Sequence, residues 1–232
     1  FDEVVERVMN KMLESLKGGL VVSCQAPEGS PLRDPYILGR IAAAAENAGA
    51  VAIRAEGLEN VEAIKKEVTI PVIGLIKRAD TSEIYITPKI DDVLSLVEAG
   101  ANIVALDATQ RLREGGVTSV DFITEAVAAI GAVPIMADVD SLSSATSAVH
   151  AGAALVGTTL SGYTGGKIPL HPDLDLVREI AAALNIPVIA EGRYSSSDDV
   201  RRALEFGAHA VCIGTSLTDP WTLTKRLVEK MK

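Results

Sequence analysis

The chain has 232 residues, and its 31 Asp and Glu residues against 22 Lys and Arg residues give a formal net charge of −9. This acidic balance argues against nucleic acid or an anionic membrane as the main partner, and 3% aromatic residues are too few for a base-stacking surface. No apolar run is long enough to span a bilayer, and the two cysteines are too few for a disulfide framework. We therefore expect a cytoplasmic protein.

Predicted strands and helices alternate along the whole chain. Residues 1–17 are amphipathic and charged throughout, which predicts an N-terminal helix and not a secretion signal. Short runs rich in Val, Ile and Ala then recur without polar alternation, as is typical of buried parallel strands. Segments with helical periodicity separate these runs, which favours an α/β fold. The eight predicted strands are 20–24, 51–54, 72–76, 103–106, 134–137, 154–157, 187–190 and 210–214.

A repeated connector indicates how the strands are arranged. A Gly-Ala pair precedes every second strand, and its glycines, Gly49, Gly100, Gly152 and Gly207, lie 51, 52 and 55 residues apart. Four such β-α-β-α units predict a single (β/α)8 TIM barrel over residues 1–232, with the 1–17 helix capping it. An open doubly wound sheet is disfavoured because no strand resembles an edge and no Gly-x-Gly-x-x-Gly follows the first strand.

Polar side chains follow nearly every predicted strand at its C-terminal end, where barrels of this type place their active sites. The opposite ends carry mostly Gly, Ala and Pro, and this asymmetry favours an enzyme. The residues at these strand ends, in chain order, are Gln25, Arg54, Lys77, Arg78, Asp107, Asp138, Thr158, Ser161, Tyr163, Glu191, Arg193, Gly214 and Thr215.

Lys77 and Glu191 are the strongest candidates for acid–base chemistry. Each follows an unbroken apolar strand, and strands 3 and 7 lie on opposite sides of a barrel. Burial lowers the pKa of a lysine and raises that of a carboxyl, so both move toward values useful near neutral pH. A structural ion pair across the barrel mouth is the alternative interpretation.

The loops after strands 7 and 8 carry a predicted phosphate site. Barrels of this architecture bind phosphate there through backbone N–H groups. Gly192 and Arg193 follow strand 7, and Gly214, Thr215 and Ser216 follow strand 8. The three histidines lack metal-ligand spacing, so we expect no metal, and His209 is expected to be structural.

The short motifs at and after the strand ends resemble those of the N-acetylmannosamine-6-phosphate 2-epimerase family, over about residues 18–213. The first half of the likeness is in Val22-Ser23-Cys24-Gln25-Ala26, Gly29-Ser30-Pro31-Leu32, Ile53-Arg54-Ala55, Ile76-Lys77-Arg78 and Ile86-Thr87-Pro88. The second half is in Ala105-Leu106-Asp107-Ala108-Thr109, Met136-Ala137-Asp138, Leu160-Ser161-Gly162-Tyr163-Thr164 and Ala190-Glu191-Gly192-Arg193.

The resemblance implies a TIM barrel that inverts C2 of N-acetylmannosamine 6-phosphate to give N-acetylglucosamine 6-phosphate in amino sugar and sialic acid catabolism, without a metal or organic cofactor. It implies Lys77 and Glu191 as the acid–base pair. It also implies that the phosphate rests on Gly192, Arg193, Gly214 and Thr215, and that the sugar and its N-acetyl group are held by Gln25, Arg54, Asp138 and Tyr163. A homodimer is permitted but not required by the sequence.

One departure concerns the segment after strand 8, where the family usually has Thr-Arg-Pro and this chain has Thr218-Asp219-Pro220. An aspartate near a phosphate would repel it, so we expect Arg193, or Lys167 in the Gly165-Gly166-Lys167 segment, to supply the missing positive charge. Two other functions stay open. They are a class I aldolase with a Schiff base at Lys77, and a barrel that binds a sugar phosphate without turning it over.

Overall fold

The predicted apolar runs form eight parallel strands that close into a barrel in chain order, with β8 pairing with β1. The computed structural model describes residues 3–78, 84–165 and 167–231. The TIM barrel is therefore confirmed, and the open sheet is excluded. The strands are β1 Leu20–Cys24, β2 Ala52–Glu56, β3 Val72–Leu75, β4 Ile103–Asp107, β5 Ile135–Asp138, β6 Leu155–Gly157, β7 Val188–Glu191 and β8 Ala210–Ile213.

Helices follow the strands and cover the outside of the barrel. Several begin where a side chain caps the first turn, as Asp34 caps α2 by accepting a hydrogen bond from the N–H of Ile37. The helices are α1 Glu3–Glu14, α2 Pro35–Asn47, α3 Leu58–Glu67, α4 Ile90–Glu98, α5 Ser119–Ile130, α6 Leu142–His150, α7 Leu174–Ala183, α8 Ser197–Glu205, α9 Thr215–Thr218 and α10 Pro220–Lys230. None of the helices in these described segments has the length and apolar character needed to cross a membrane.

The repeated Gly-Ala connector is a Schellman motif. After α2, Gly49 takes a left-handed conformation with φ of 102°. The N–H of Ala50 then donates to the carbonyl of Ala45, and the N–H of Gly49 donates to that of Glu46. The same pair of bonds recurs at Gly207. The motif reverses the chain from each of these helices into the next strand, which explains the period of the repeat.

Helix α1 packs against the N-terminal end of the barrel. Leu13 and Leu16 join the apolar side chains that fill the barrel interior, among them Val21 and Ile103. His209, just before β8, fastens this contact because its Nε2 donates to the carbonyl of Leu13 at 2.8 Å. The extra N-terminal helix is thus confirmed, and His209 has a structural contact at the end of the barrel away from the polar strand ends.

Candidate active site

A network of buried charges lies at the C-terminal end of the barrel, called here the mouth. The Arg54 guanidinium forms a two-pronged contact with Asp138, with Nη1 to Oδ1 at 3.1 Å and Nη2 to Oδ2 at 2.6 Å. Its Nη1 also lies 3.0 Å from Oε2 of Glu191. Strands β2, β5 and β7 therefore contribute one charged group each to a single cluster.

Arg54 lies deeper in the barrel than the sequence predicted. It is the third of five residues in β2 and is only 1% exposed, whereas we expected it to end the strand. Asp138 and Glu191 are the last residues of β5 and β7, whereas we expected each of them to lie just after its strand. These strands extend further because the carboxylates find a cation inside the barrel and need not reach solvent.

Lys77 follows β3 at the rim of the mouth, where its Nζ donates to Oε1 of Gln25 at 2.7 Å. The residue is exposed to water overall, yet crowding by protein atoms around the ammonium lowers the pKa of Lys77, and Arg54 lowers it further. The carboxylates of Glu56 and Glu191 oppose this shift, and water at the open mouth weakens it. Arg78 points away and pairs with Asp92 in the first turn of α4.

Glu191 has the opposite shift, because burial raises the pKa of its carboxyl while the Arg54 charge opposes the rise. Cys212, its register partner on β8, lies beside this carboxylate, and its thiol offsets part of the rise in pKa. Oε2 of Glu191 is buried and, within the described residues, makes no hydrogen bond with good geometry. A carboxylate of raised pKa at the same barrel mouth as a lysine of lowered pKa is suited to carrying a proton.

Sequence reasoning missed Tyr85. Residues 84–87 fold back beside the end of β3, with an antiparallel bridge between Lys77 and Ile86. Tyr85 packs on the apolar side chains inside the barrel. Burial is the main cause that raises the pKa of its phenol, and the negative charges of Asp138 and Asp107 raise it further. The motif at Ile86-Thr87-Pro88 was the only signal, because this segment has no strand periodicity. Residues 79–83 lie outside the described part of the chain.

The predicted phosphate residues lie together at the ends of β7 and β8. Gly192 has φ of 111°, and a β-carbon there would lie 3.7 Å from the carbonyl oxygen of Thr158. Gly214 precedes the short helix α9 that begins at Thr215. The hydroxyl of Ser216 donates to the carbonyl of Tyr194 at 2.9 Å. The guanidinium of Arg193 is directed at the loop after β6, where Tyr163 is 40% exposed and its ring centre lies 5.4 Å from the guanidinium.

Asp219, the departure from the family pattern, caps the last helix. Its Oδ1 accepts a hydrogen bond from the N–H of Thr222 at 2.9 Å, and the residue is 7% exposed. Pro220 at the first helical position suits the same helix start. Lys167 lies exposed on the β6–α7 loop, and Gly166 beside it is outside the described residues.

Asp219→Ala is expected to lower the free energy of unfolding by about 1 kcal/mol, because an N–H at the start of α10 loses its acceptor. Urea unfolding followed by circular dichroism measures this change. Asp219→Asn, which keeps an acceptor oxygen, is the matched control and should remain close to the parent. If alanine and asparagine behave alike, the cap contributes nothing.

The fold and the mouth define the class of protein: a TIM-barrel enzyme with a lysine and a carboxyl of shifted pKa at the C-terminal ends of its strands. The described residues contain no cluster of three or more side chains that would hold a metal ion. A profile of the family described as "Putative N-acetylmannosamine-6-phosphate epimerase" matches residues 38–232. The chain belongs to this N-acetylmannosamine-6-phosphate epimerase family, as its motifs predicted.

Individual relatives agree with the family assignment. Proteins named "Putative N-acetylmannosamine-6-phosphate 2-epimerase" are 45% identical in Caldanaerobacter subterraneus subsp. tengcongensis, over 95% of this chain and 94% of that protein, and 44% identical in Cutibacterium acnes, over 93% and 94%. The solved N-acetylmannosamine-6-phosphate 2-epimerase of Clostridium perfringens is 40% identical, with a TM-score of 0.87 over 94% of this chain and 96% of that one. A thiamine phosphate pyrophosphorylase from Pyrococcus furiosus shares the fold, at 18% identity and a TM-score of 0.61, over 94% and 98%.

Proposed function

We propose that this protein interconverts N-acetylmannosamine 6-phosphate and N-acetylglucosamine 6-phosphate by moving the proton at C2. The observation that carries the proposal is the position of Lys77 after β3 and of Glu191 at the end of β7, on two sides of the same barrel mouth. The lowered pKa of Lys77 and the raised pKa of Glu191 agree with it. The C2 proton is acidic in the open-chain sugar because it lies next to the C1 aldehyde. Its removal breaks the C2–H bond and leaves the electron pair in an enolate.

The chemistry needs a base on one face of C2 and an acid on the other. In one direction neutral Lys77 takes the proton and protonated Glu191 returns one to the opposite face, and in the reverse direction the two groups exchange roles. Arg54, held beside Glu191 by Asp138, places a permanent positive charge where the enolate oxygen becomes negative. After a turnover in the first direction Lys77 carries the proton and Glu191 has lost one. Proton exchange with water then restores the starting protonation of both groups.

The same end of the barrel offers groups for the rest of the substrate. Gln25, Arg54, Asp138 and Tyr163 would hold the sugar and its N-acetyl group. Backbone N–H groups at Gly192, Arg193, Gly214 and Thr215 would hold the phosphate, since glycines allow close approach of an anion. Because these residues come from strands across the whole barrel, we propose that residues 1–232 act as one catalytic domain.

Proton NMR with N-acetylmannosamine 6-phosphate in D₂O tests the proposal. We expect the 2-epimer to appear with deuterium at C2. A sugar that neither exchanges nor inverts at C2 would contradict the proposed reaction. Borohydride treatment in the presence of substrate covers the aldolase alternative, because a covalent adduct at Lys77 would show Schiff-base chemistry instead.

The rate should depend on pH in a bell shape. Turnover needs one proton on the pair, so it falls when both groups are protonated and again when neither is. Because burial raises the pKa of Glu191 and the crowding of protein atoms around the ammonium lowers that of Lys77, the acid limb of kcat should lie above the usual glutamate range and the alkaline limb below the usual lysine range. Measuring kcat from pH 4 to 11 checks this, and limbs at the ordinary values would contradict it.

We also propose a cytoplasmic homodimer. The two free cysteines, Cys24 and Cys212, are buried thiols, which suits a reducing compartment. The last helix, α10, has no buried residue and exposes Trp221, Leu227 and Val228, which supports a subunit contact there. Light scattering after gel filtration measures the mass, and a monomer at micromolar concentration would contradict the dimer.

A further inference from the structure

The guanidinium of Arg193 joins the two ends of the β6–α7 loop, which the structure describes over residues 158–165 and 167–173. Its Nη1 donates to the carbonyl of Ser161 at 2.6 Å, and its Nε donates to the carbonyl of His171 at 2.7 Å. These carbonyls are ten residues apart in sequence, so one side chain from the β7 end spans the base of the loop. Charge-assisted bonds of this length are among the stronger ones in proteins.

The described residues in the outer part of this loop have few other attachments. Ile168 is 51% exposed and Leu170 is 84% exposed, so burial of apolar surface does little to hold them. Two contacts assist Arg193 at the base. The hydroxyl of Ser161 donates to Asp173 at 2.6 Å, and Pro169 packs so closely on Gly162 that a β-carbon there would lie 2.5 Å from Cδ of the proline.

The backbone and charge of Arg193 are both unusual for a surface arginine. Its φ is 65°, a left-handed conformation that is strained for a non-glycine residue and persists where surrounding contacts enforce it. In the described segments no carboxylate oxygen lies within 4.0 Å of its guanidinium. The contacts the side chain does make are with main-chain carbonyls and the Tyr163 ring, all in the loop.

We propose that Arg193 is a positioning residue whose side chain fixes the β6–α7 loop, and with it Tyr163, at the barrel mouth. Its guanidinium is committed to the loop, so its contribution to phosphate binding is limited to its backbone N–H. The effect on turnover rests on the function proposed above, whereas the effect on the loop does not. The arginine is then needed at position 193 because it orders the loop, and not because its side chain adds a charged contact to the phosphate.

Arg193→Lys and Arg193→Met separate the two roles. Lysine keeps the positive charge but presents a single nitrogen, which cannot reach both carbonyls in the way a planar guanidinium does. If Arg193 positions the loop, both variants should speed hydrogen exchange of the amides in residues 160–165 and 167–172 by about tenfold in the absence of substrate. Both should also lower kcat/KM for N-acetylmannosamine 6-phosphate by a similar factor.

Arg178→Lys is the matched control, because Arg178 pairs with Asp175 on the exposed face of α7. It should leave exchange and turnover unchanged. Unchanged exchange in Arg193→Met would overturn the positioning role, as would a lysine variant with parental exchange and kinetics. Faster exchange with undiminished kcat/KM would overturn the link to catalysis.

A second variant keeps the test valid if the arginine variants fold poorly. Gly162→Ala places a β-carbon against Pro169 and 3.5 Å from Nη1 of Arg193, and it strains a backbone with φ of 78°. It should reproduce the faster loop exchange, and parental exchange would count against the proposal. If the parent protein itself does not epimerise the sugar, the proposed function fails, and hydrogen exchange still decides whether Arg193 holds the loop.

Discussion

Replacing Lys77 with methionine is expected to lower kcat by roughly 10²- to 10⁴-fold, because general acid–base groups typically contribute that much. Methionine keeps most of the stem and removes the nitrogen. Glu191→Gln should have an effect of similar size, since the amide cannot exchange a proton near neutral pH. The measurement is the appearance of the 2-epimer by proton NMR, at saturating sugar phosphate.

Controls for this prediction come from the outer surface of the same chain. Lys17→Met removes an exposed lysine that pairs with Glu14, and Glu205→Gln removes an exposed carboxylate that pairs with Arg201. Both should retain parental kcat. The double variant of Lys77 and Glu191 should be little slower than either single variant, because the two groups act as a unit. A near-parental rate in either single variant would refute the assignment of that residue.

Asp138→Asn is expected to destabilise the protein by about 3–5 kcal/mol, because it leaves the Arg54 charge buried without its closest partner. The Arg54 side chain is 2% exposed and that of Asp138 is 0% exposed, so water cannot take over. Arg54→Met should cost a similar amount by leaving Asp138 unpaired. Urea unfolding at constant pH measures both changes.

The double variant Arg54→Met with Asp138→Leu distinguishes stability from catalysis. Replacing a buried ion pair with apolar side chains of similar size is often neutral or stabilising, so part of the lost stability should return. Glu191, which also loses its cation, can remain neutral by keeping its proton. Turnover should not return, because the charge beside the reacting carbons is gone. Asp175→Asn, in the exposed pair with Arg178, should change stability little. An Asp138→Asn variant as stable as this control would contradict the buried pair.

The architecture was predictable from local patterns. Parallel strands covered on both faces need uninterrupted apolar runs, and a helix that turns back into a strand needs a residue that tolerates positive φ. Both signals are encoded in a few neighbouring residues, and they recur with a period that defines the barrel. Once the barrel is accepted, topology alone places Lys77 and Glu191 at the same end of it. The motif likeness then identified the family, which the comparisons confirmed.

The partners of the charged side chains were decided only by tertiary structure. Arg54 and Asp138 are 84 residues apart in sequence, and their contact explains why the arginine lies inside the barrel and not at its rim. Arg193 bonds to the loop after β6, and Asp219 caps a helix. Tyr85 packs on the barrel interior from a segment without strand periodicity. A side chain's partners depend on which strands closure of the barrel brings together, whereas strand and helix formation depends on neighbours along the chain.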